Sequence, residues 1–275
     1  MIPVQGSPFN IDLTLESGQV FHWEKSGPGN WTGLIGDHPV RVRSEGNTLL
    51  TDARSLEIIR HYFALDHPLE EIYIRFPSDP LSRAALASCH GMRIIRQPRW
   101  ECLATFITSS MKQVAHIRNM SLAIRGRFGK KVRGSPVNAY PPPTRLAACS
   151  AADLRACGLG YRAANLVSTA RTIASGAIDL DAISSLNTPD LRKCLQSLPG
   201  VGVKVANCVL LFAYERLDAV PIDVWIYRVL LTMRGGRRGT AAQLARYARR
   251  RLGPYAGYVQ QYLFHHARVL PKIRP

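Results

Sequence analysis

The sequence predicts an α+β fold: a small N-terminal antiparallel β-sheet domain over residues 1–84, followed by an all-α region over residues 85–275. Three observations carry that expectation. Short segments punctuated by Gly and Pro fill the first 50 residues, the apolar spacing turns helical from Ser55 onward, and the positive charge collects in the later part of the chain. A chain of 275 residues is long enough to bury a full core and to form more than one packed unit.

In the N-terminal part, residues 18–23, 31–36 and 40–44 alternate in polarity between turn formers such as Gly27, Pro28 and Gly29, the pattern of a small antiparallel sheet. Residues 55–64 and 81–88 have helical spacing. From Trp100 the helical period runs almost to the C-terminus, interrupted by a Pro/Gly/basic loop at 129–143. Further on, a helix is expected over 190–197. Leu198, Pro199, Gly200, Val201 and Gly202 break it, and an apolar helix follows over 203–214, then another over 224–233. No repeat of solenoid type is present.

The formal net charge is +17. Residues 1–90 hold 7 Lys+Arg against 11 Asp+Glu, a net of −4; residues 91–275 hold 29 against 8, a net of +21. So strong an imbalance calls for a polyanionic partner, and it assigns that partner to the later part. A membrane surface is disfavoured, because no basic amphipathic helix with a large aromatic face stands out and no run of about 18 apolar residues exists. The first twenty residues lack the regions of a signal peptide. An intracellular location is therefore expected: cytoplasm or nucleoid in a prokaryote, nucleus in a eukaryote. The six cysteines contain no C-x-x-C pair, so they read as reduced, mostly buried thiols, with no metal site expected.

Two helices joined by a tight glycine hairpin expose successive backbone N–H groups at a helix N-terminus, a phosphate site that grips a nucleic-acid backbone without reading its sequence. Gly200, Gly202 and Val203 belong to that hairpin. Lys204 lies just inside it, where the helix dipole and apolar neighbours disfavour the ammonium form and favour an attacking amine. The simpler alternative is a lysine placed for phosphate contact. Asp223 is the sole acidic residue of 219–275, a stretch with 11 Lys+Arg. It suits both a helix N-cap and a carboxylate that stabilises a developing cation.

The run from Leu198 to Lys204, followed by Val220, Pro221, Ile222 and Asp223, resembles the helix–hairpin–helix Gly/Pro–Asp superfamily of base-excision DNA glycosylases, and more narrowly the 8-oxoguanine DNA glycosylases. Similar segments recur in order along nearly the whole chain: residues 17–23 and 31–33, residues 101–110, residues 158–162, the hairpin, and residues 253–258. The resemblance implies double-stranded DNA containing oxidised guanine as the partner, and a monomeric enzyme with both glycosylase and abasic-site lyase activity. It implies Lys204 as nucleophile at C1′ and Asp223 as its supporting carboxylate. No cofactor is required, although the hairpin carbonyls are a candidate site for a monovalent cation. The base pocket is expected to consist of Gly18, whose carbonyl would accept from the N7–H that distinguishes 8-oxoguanine from guanine, with Cys208, Gln260 and Phe264. Read singly, Cys208 and Phe264 are also ordinary core residues, Gln260 a surface residue and Gly18 a turn.

The pattern also departs from the family. Three asparagines usually follow the Ser-Ser pair, whereas here Met111, Lys112 and Gln113 stand after Ser109 and Ser110. His116 replaces an arginine that reads the opposite cytosine, and Trp225 replaces a phosphate-side histidine, with plain core packing as its alternative. Tyr161 and Arg162 keep the second wedge and the other cytosine contact. A relaxed preference for the opposite base is the expectation. The rival readings are an alkylated-base glycosylase of the same superfamily and a non-catalytic DNA-binding protein that keeps the hairpin for grip.

Overall fold

A computed structural model of the chain describes residues 2–4, 8–46 and 48–269. Five strands, β1 (Ile2–Val4), β2 (Glu24–Gly27), β3 (Asn30–Ile35), β4 (His38–Glu45) and β5 (Thr48–Thr51), form one antiparallel sheet in the order β1-β5-β4-β3-β2. The β3–β4 pair is the longest, with Trp31 opposite Val42 and Gly33 opposite Val40. Helices begin with α1 (Ile11–Glu16), α2 (Leu56–Tyr62), α3 (Leu69–Ile74) and α4 (Pro80–Ser88). They continue as α5 (Arg99–Thr108), α6 (Val114–Phe128), α7 (Pro143–Ala147), α8 (Ala151–Arg155) and α9 (Arg162–Ala174). The last five are α10 (Thr188–Gln196), α11 (Val203–Ala213), α12 (Val224–Met233), α13 (Ala241–Leu252) and α14 (Ala256–Val269). The α+β arrangement expected from the sequence is what the chain adopts, and among the described residues no helix is long and apolar enough to cross a membrane.

One expected strand is absent. Residues 18–23 alternate in polarity yet form no ladder, and β2 starts only at Glu24. The alternation arises because the segment runs between two cores. Val20 and Trp23 pack in the sheet core with Phe9, Trp31 and Phe63, whereas Phe21 packs in the helical core with Phe106 and Ile107. Side chains meet backbone groups of the segment, Gln97 Nε2 donating to the Gln19 carbonyl at 2.7 Å and Arg118 Nη1 to the Trp23 carbonyl at 2.7 Å, while the fully buried Gln19 amide serves the neighbouring chain, donating to the Arg93 carbonyl and accepting from the Ile95 N–H. Both sides of the segment are thus dry, and its polar groups are satisfied across the junction.

The helical core is centred on α11, buried without a break from Val205 to Phe212. A helix apolar all round belongs in the interior, and α5, α10 and α14 surround it, with Phe106 stacked on Phe212 at 5.4 Å. Burial of each such large side chain contributes about 1.5–3 kcal/mol. One buried charge cluster ties α5 to α6. The Glu101 carboxylate accepts from the Arg125 guanidinium and lies 3.1 Å from His22 Nδ1, while Arg125 sits over the Tyr140 ring at 5.3 Å. Burial would push the Glu101 carboxyl up, but the positive charge of Arg125 and the contacts with His22 outweigh it and hold it at about 2. Five of the six free cysteines are buried, and Cys194 is half-buried.

Candidate active site

The hairpin between α10 and α11 is built as its composition dictates. Val201 N–H donates to the Leu198 carbonyl at 3.1 Å, and Thr169 Oγ1 of α9 donates to the Pro199 carbonyl at 2.9 Å. Gly200 has φ +81°, and a Cβ there would lie 2.8 Å from the Asn165 side chain of α9, so glycine is required twice over. Gly202 is the N-cap of α11 and offers no capping side chain. The first-turn amides of α11 are left for a partner, beside an exposed Val203.

Lys204, in that first turn, points back toward the interior. Its Nζ donates to Ser109 Oγ at 3.0 Å and lies 5.3 Å from the Phe106 ring centroid. Ser109 is itself fixed, its hydroxyl donating to the Phe106 carbonyl at 2.7 Å. Asp223 is the N-cap of α12 and accepts from the Ile226 N–H at 2.9 Å. Burial pushes its carboxyl above the ordinary aspartate range, against the opposing pull of that N–H and of the Lys204 charge. Lys204 and Asp223 together line two cavities, one of about 840 Å³ and one of about 40 Å³, and so stand at the passage between them.

The smaller cavity gathers all four residues expected of a base pocket, Gly18, Cys208, Gln260 and Phe264, together with Phe106, Phe212 and Pro221. Gly18 has φ +83°, and a Cβ at that position would approach Val114 Cγ2 to 3.0 Å. The Gly18 turn is held by Gln261, whose Nε2 donates to the Ser17 carbonyl at 3.1 Å. Burial pushes the Cys208 thiol up, so it presents a neutral sulfur. Gln260 is 3% exposed, and its Oε1 has no hydrogen-bond partner among the described residues. A buried acceptor left unpaired costs about 1–3 kcal/mol. Folding does not require it, whereas a donor carried in by a ligand would satisfy it.

The mouth of the larger cavity is apolar and basic. Met111 is 92% exposed, with φ +54°, a left-handed conformation costly for a non-glycine residue. Tyr161 is 64% exposed. Lys112 and Gln113 are exposed and line the cavity, as does the half-buried Trp225, which lies under the Arg228 guanidinium. Among the described residues, Met111, Tyr161, Val203 and Val224 are four of the six exposed large apolar side chains. Their position around the site and its hairpin marks a contact surface and not a scatter. Two residues stand apart from the expected pattern. His116 is exposed on α6 and does not line the cavity. Arg162 is buried, donating to the Ser110 and Leu159 carbonyls, with its guanidinium 4.3 Å from the Tyr161 ring.

Known proteins share this layout. A family model described as the N-terminal domain of 8-oxoguanine DNA glycosylase matches residues 1–103. A probable N-glycosylase/DNA lyase of Methanothermobacter thermautotrophicus is 30% identical over 301 aligned positions, covering 97% of this chain and 95% of that protein. The chain belongs to the 8-oxoguanine DNA glycosylase family. Among solved structures of this family, MBOgg1 in complex with a low-affinity DNA ligand is 32% identical with a TM-score of 0.89, covering 94% of this chain and 92% of that one. The Clostridium acetobutylicum 8-oxoguanine glycosylase/lyase, in complex with double-stranded DNA containing cytosine opposite 8-oxoguanine, is 28% identical with a TM-score of 0.88 over 94% of this chain and 92% of that one.

Several lining residues of this glycosylase escaped the sequence reading. Phe21, Phe106 and Pro221 look like ordinary core residues, and only the fold shows that their other face borders a cavity. Arg228 and Arg268 were hidden among many arginines, although Arg268 follows Phe264 by one helical turn and so shares its face. Among the described residues no group of three or more His, Cys, Asp or Glu side chains could hold a metal ion.

Proposed function

We propose that the chain is a bifunctional DNA glycosylase and abasic-site lyase of base excision repair, which flips 8-oxoguanine out of duplex DNA, excises it and nicks the strand. The observation that carries this reading is the shared position of Lys204 and Asp223 between a wide, basic cavity and a small apolar one that holds a glutamine amide oxygen without a partner among the described residues. The wide cavity suits a flipped nucleotide, and the inner one its base once Gly18 and Phe264 move apart.

In this mechanism the Lys204 amine attacks C1′, the glycosidic bond breaks with its electron pair leaving on the base, and the proton shed by the alkylated amine neutralises the departing base. The Asp223 carboxylate, aimed by its cap bond, stabilises the cationic charge that develops at C1′. Ring opening gives an imine between Lys204 and the sugar. Loss of a C2′ proton then expels the 3′ phosphate by β-elimination. The Gly18 carbonyl accepts from N7–H of the lesion and repels the bare N7 of guanine. Gln260 meets the Watson–Crick edge, with Phe264 and Cys208 on the two faces. Met111 and Tyr161 wedge the gap left by the flipped base, while Lys112, Gln113, Gly200, Gly202, Val203 and Trp225 contact the backbone. Residues 1–84 act as an N-terminal domain that supplies Gly18, and residues 85–275 carry the chemistry. The reaction needs no cofactor. A monovalent cation would sit on hairpin carbonyls such as those of Leu198 and Pro199, each of which accepts one bond and retains a second lone pair.

With His116 away from the cavity and Arg162 engaged internally, preference for cytosine opposite the lesion is relaxed; a strong cytosine preference across the four opposite bases overturns that part. Borohydride trapping on an 8-oxoguanine duplex tests the whole reading. A covalent adduct formed by the parent protein and lost in Lys204→Gln supports it, whereas folded protein that binds the duplex without trapping leaves a binding module only.

A further inference from the structure

Arg268 lies on α14 one turn beyond Phe264, on the wall of the larger cavity. Its Nη2 donates to the Glu16 carbonyl, at the C-terminal end of α1, and approaches His265 Nδ1 at 3.2 Å. The guanidinium carbon lies 5.6 Å from the Phe264 ring centroid, and Nε is buried without a partner among the described residues. A cation against the last carbonyls of a helix is favourable, and so is a guanidinium over an aromatic face. Burial pushes His265 down to about 4, helped by the Arg268 charge, so this ring is neutral at physiological pH and its Nδ1 accepts. Two contacts of one side chain therefore join α1 to the ring of Phe264.

Gly18 follows the end of α1 by two residues, and a Cβ placed on it would lie 3.4 Å from Phe264 Cε1. The cavity between them, about 40 Å³, offers room for a few waters, each needing about 10–15 Å³, and not for a bicyclic base. The separation of Gly18 and Phe264 must be adjusted when a base enters, and the side chain that links their two supports governs where it comes to rest.

We propose that Arg268 is a positioning residue for the base slot: by holding the end of α1 and the face of Phe264 together, it sets the distance between Gly18 and Phe264 and thereby the discrimination between lesion and normal base. This rests on the proposed glycosylase reading. Excision uses the slot, whereas cleavage at a preformed abasic site uses Lys204 with no base present, so the two activities separate the roles.

Arg268→Leu and Arg268→Lys are compared with the parent protein on 8-oxoguanine duplex and on abasic-site duplex. The expected result for Arg268→Leu is a 10- to 100-fold loss of kcat/KM for excision, borne mainly by KM, and a narrowed ratio of 8-oxoguanine to guanine excision, with a clearly smaller loss in abasic-site cleavage. Arg268→Lys, which keeps the charge and one donor toward the Glu16 carbonyl, recovers part of the loss. Equal losses on both substrates, or an unchanged lesion-to-guanine ratio, overturn the proposal by reducing Arg268 to general stability or DNA binding. A parent protein inactive on both duplexes would instead sink the glycosylase reading itself.

Discussion

At the scale of single residues, the proposed chemistry depends on two side chains, Lys204 and Asp223. In the proposed mechanism Asp223 acts as a carboxylate, and burial has moved its pKa upward. Single-turnover excision should therefore fall on the acid side as pH drops through that raised value, with the limb lying above the ordinary aspartate range near 3.9. A limb at or below the ordinary value contradicts the role. Asp223→Asn is expected to lose about 10²- to 10⁴-fold in rate with duplex affinity kept, as read by single-turnover kinetics beside a binding titration. The sequence announced Asp223 because it stood alone among arginines and before a helix. Lys204 was legible for a related reason, an amine set just inside a hairpin. Its contact with Ser109 was not, since 95 positions separate the two and only the packing of α11 on α5 joins them.

Among elements, hairpin and junction behave as different kinds of device. The hairpin could be read from its glycines, and Gly200→Ala should lower stability by about 1–3 kcal/mol, through its left-handed φ and its contact with Asn165, and weaken duplex binding as well. Urea titration gives the first and fluorescence anisotropy the second; an unaffected midpoint contradicts it. The segment 18–23 misled, because alternation signals a strand only when one face meets water, and here both faces meet protein. The Glu101–Arg125 pair beneath it was also invisible to local pattern, being 24 positions apart. Because the folded Glu101 carboxyl is held at about 2, below its unfolded value, its stabilising contribution is complete above about pH 4.5 and disappears as pH falls toward 2. Glu101→Gln should cost roughly 3–5 kcal/mol near neutrality, a difference that shrinks in acid. Denaturation at pH 7 and pH 3 checks the sign, and a pH-independent difference would refute it.

For the whole molecule, the charge asymmetry separates the N-terminal part, with the sheet and its first four helices, at a net of −4 over residues 1–90, from the remaining helices, at +21 over residues 91–275. Affinity for undamaged duplex should therefore decline linearly in log–log salt plots, with a slope of about −0.9 per phosphate contact. Lys112→Ala should flatten the slope by about one unit, and an identical slope would remove Lys112 from the interface. Composition revealed this polarity before any helix was placed, whereas the cavities required the assembled fold, because their walls come from chain positions as distant as Gly18 and Arg268. The segment that crosses between the two cores has a consequence for how the enzyme fails. Gly18 hangs from a joint anchored in both bodies, while Lys204 and Asp223 are anchored in one. In the proposed mechanism, loosening of the sheet alone would make the molecule an inaccurate reader before an inactive cutter, still cleaving abasic sites after it had ceased to tell a damaged base from a sound one.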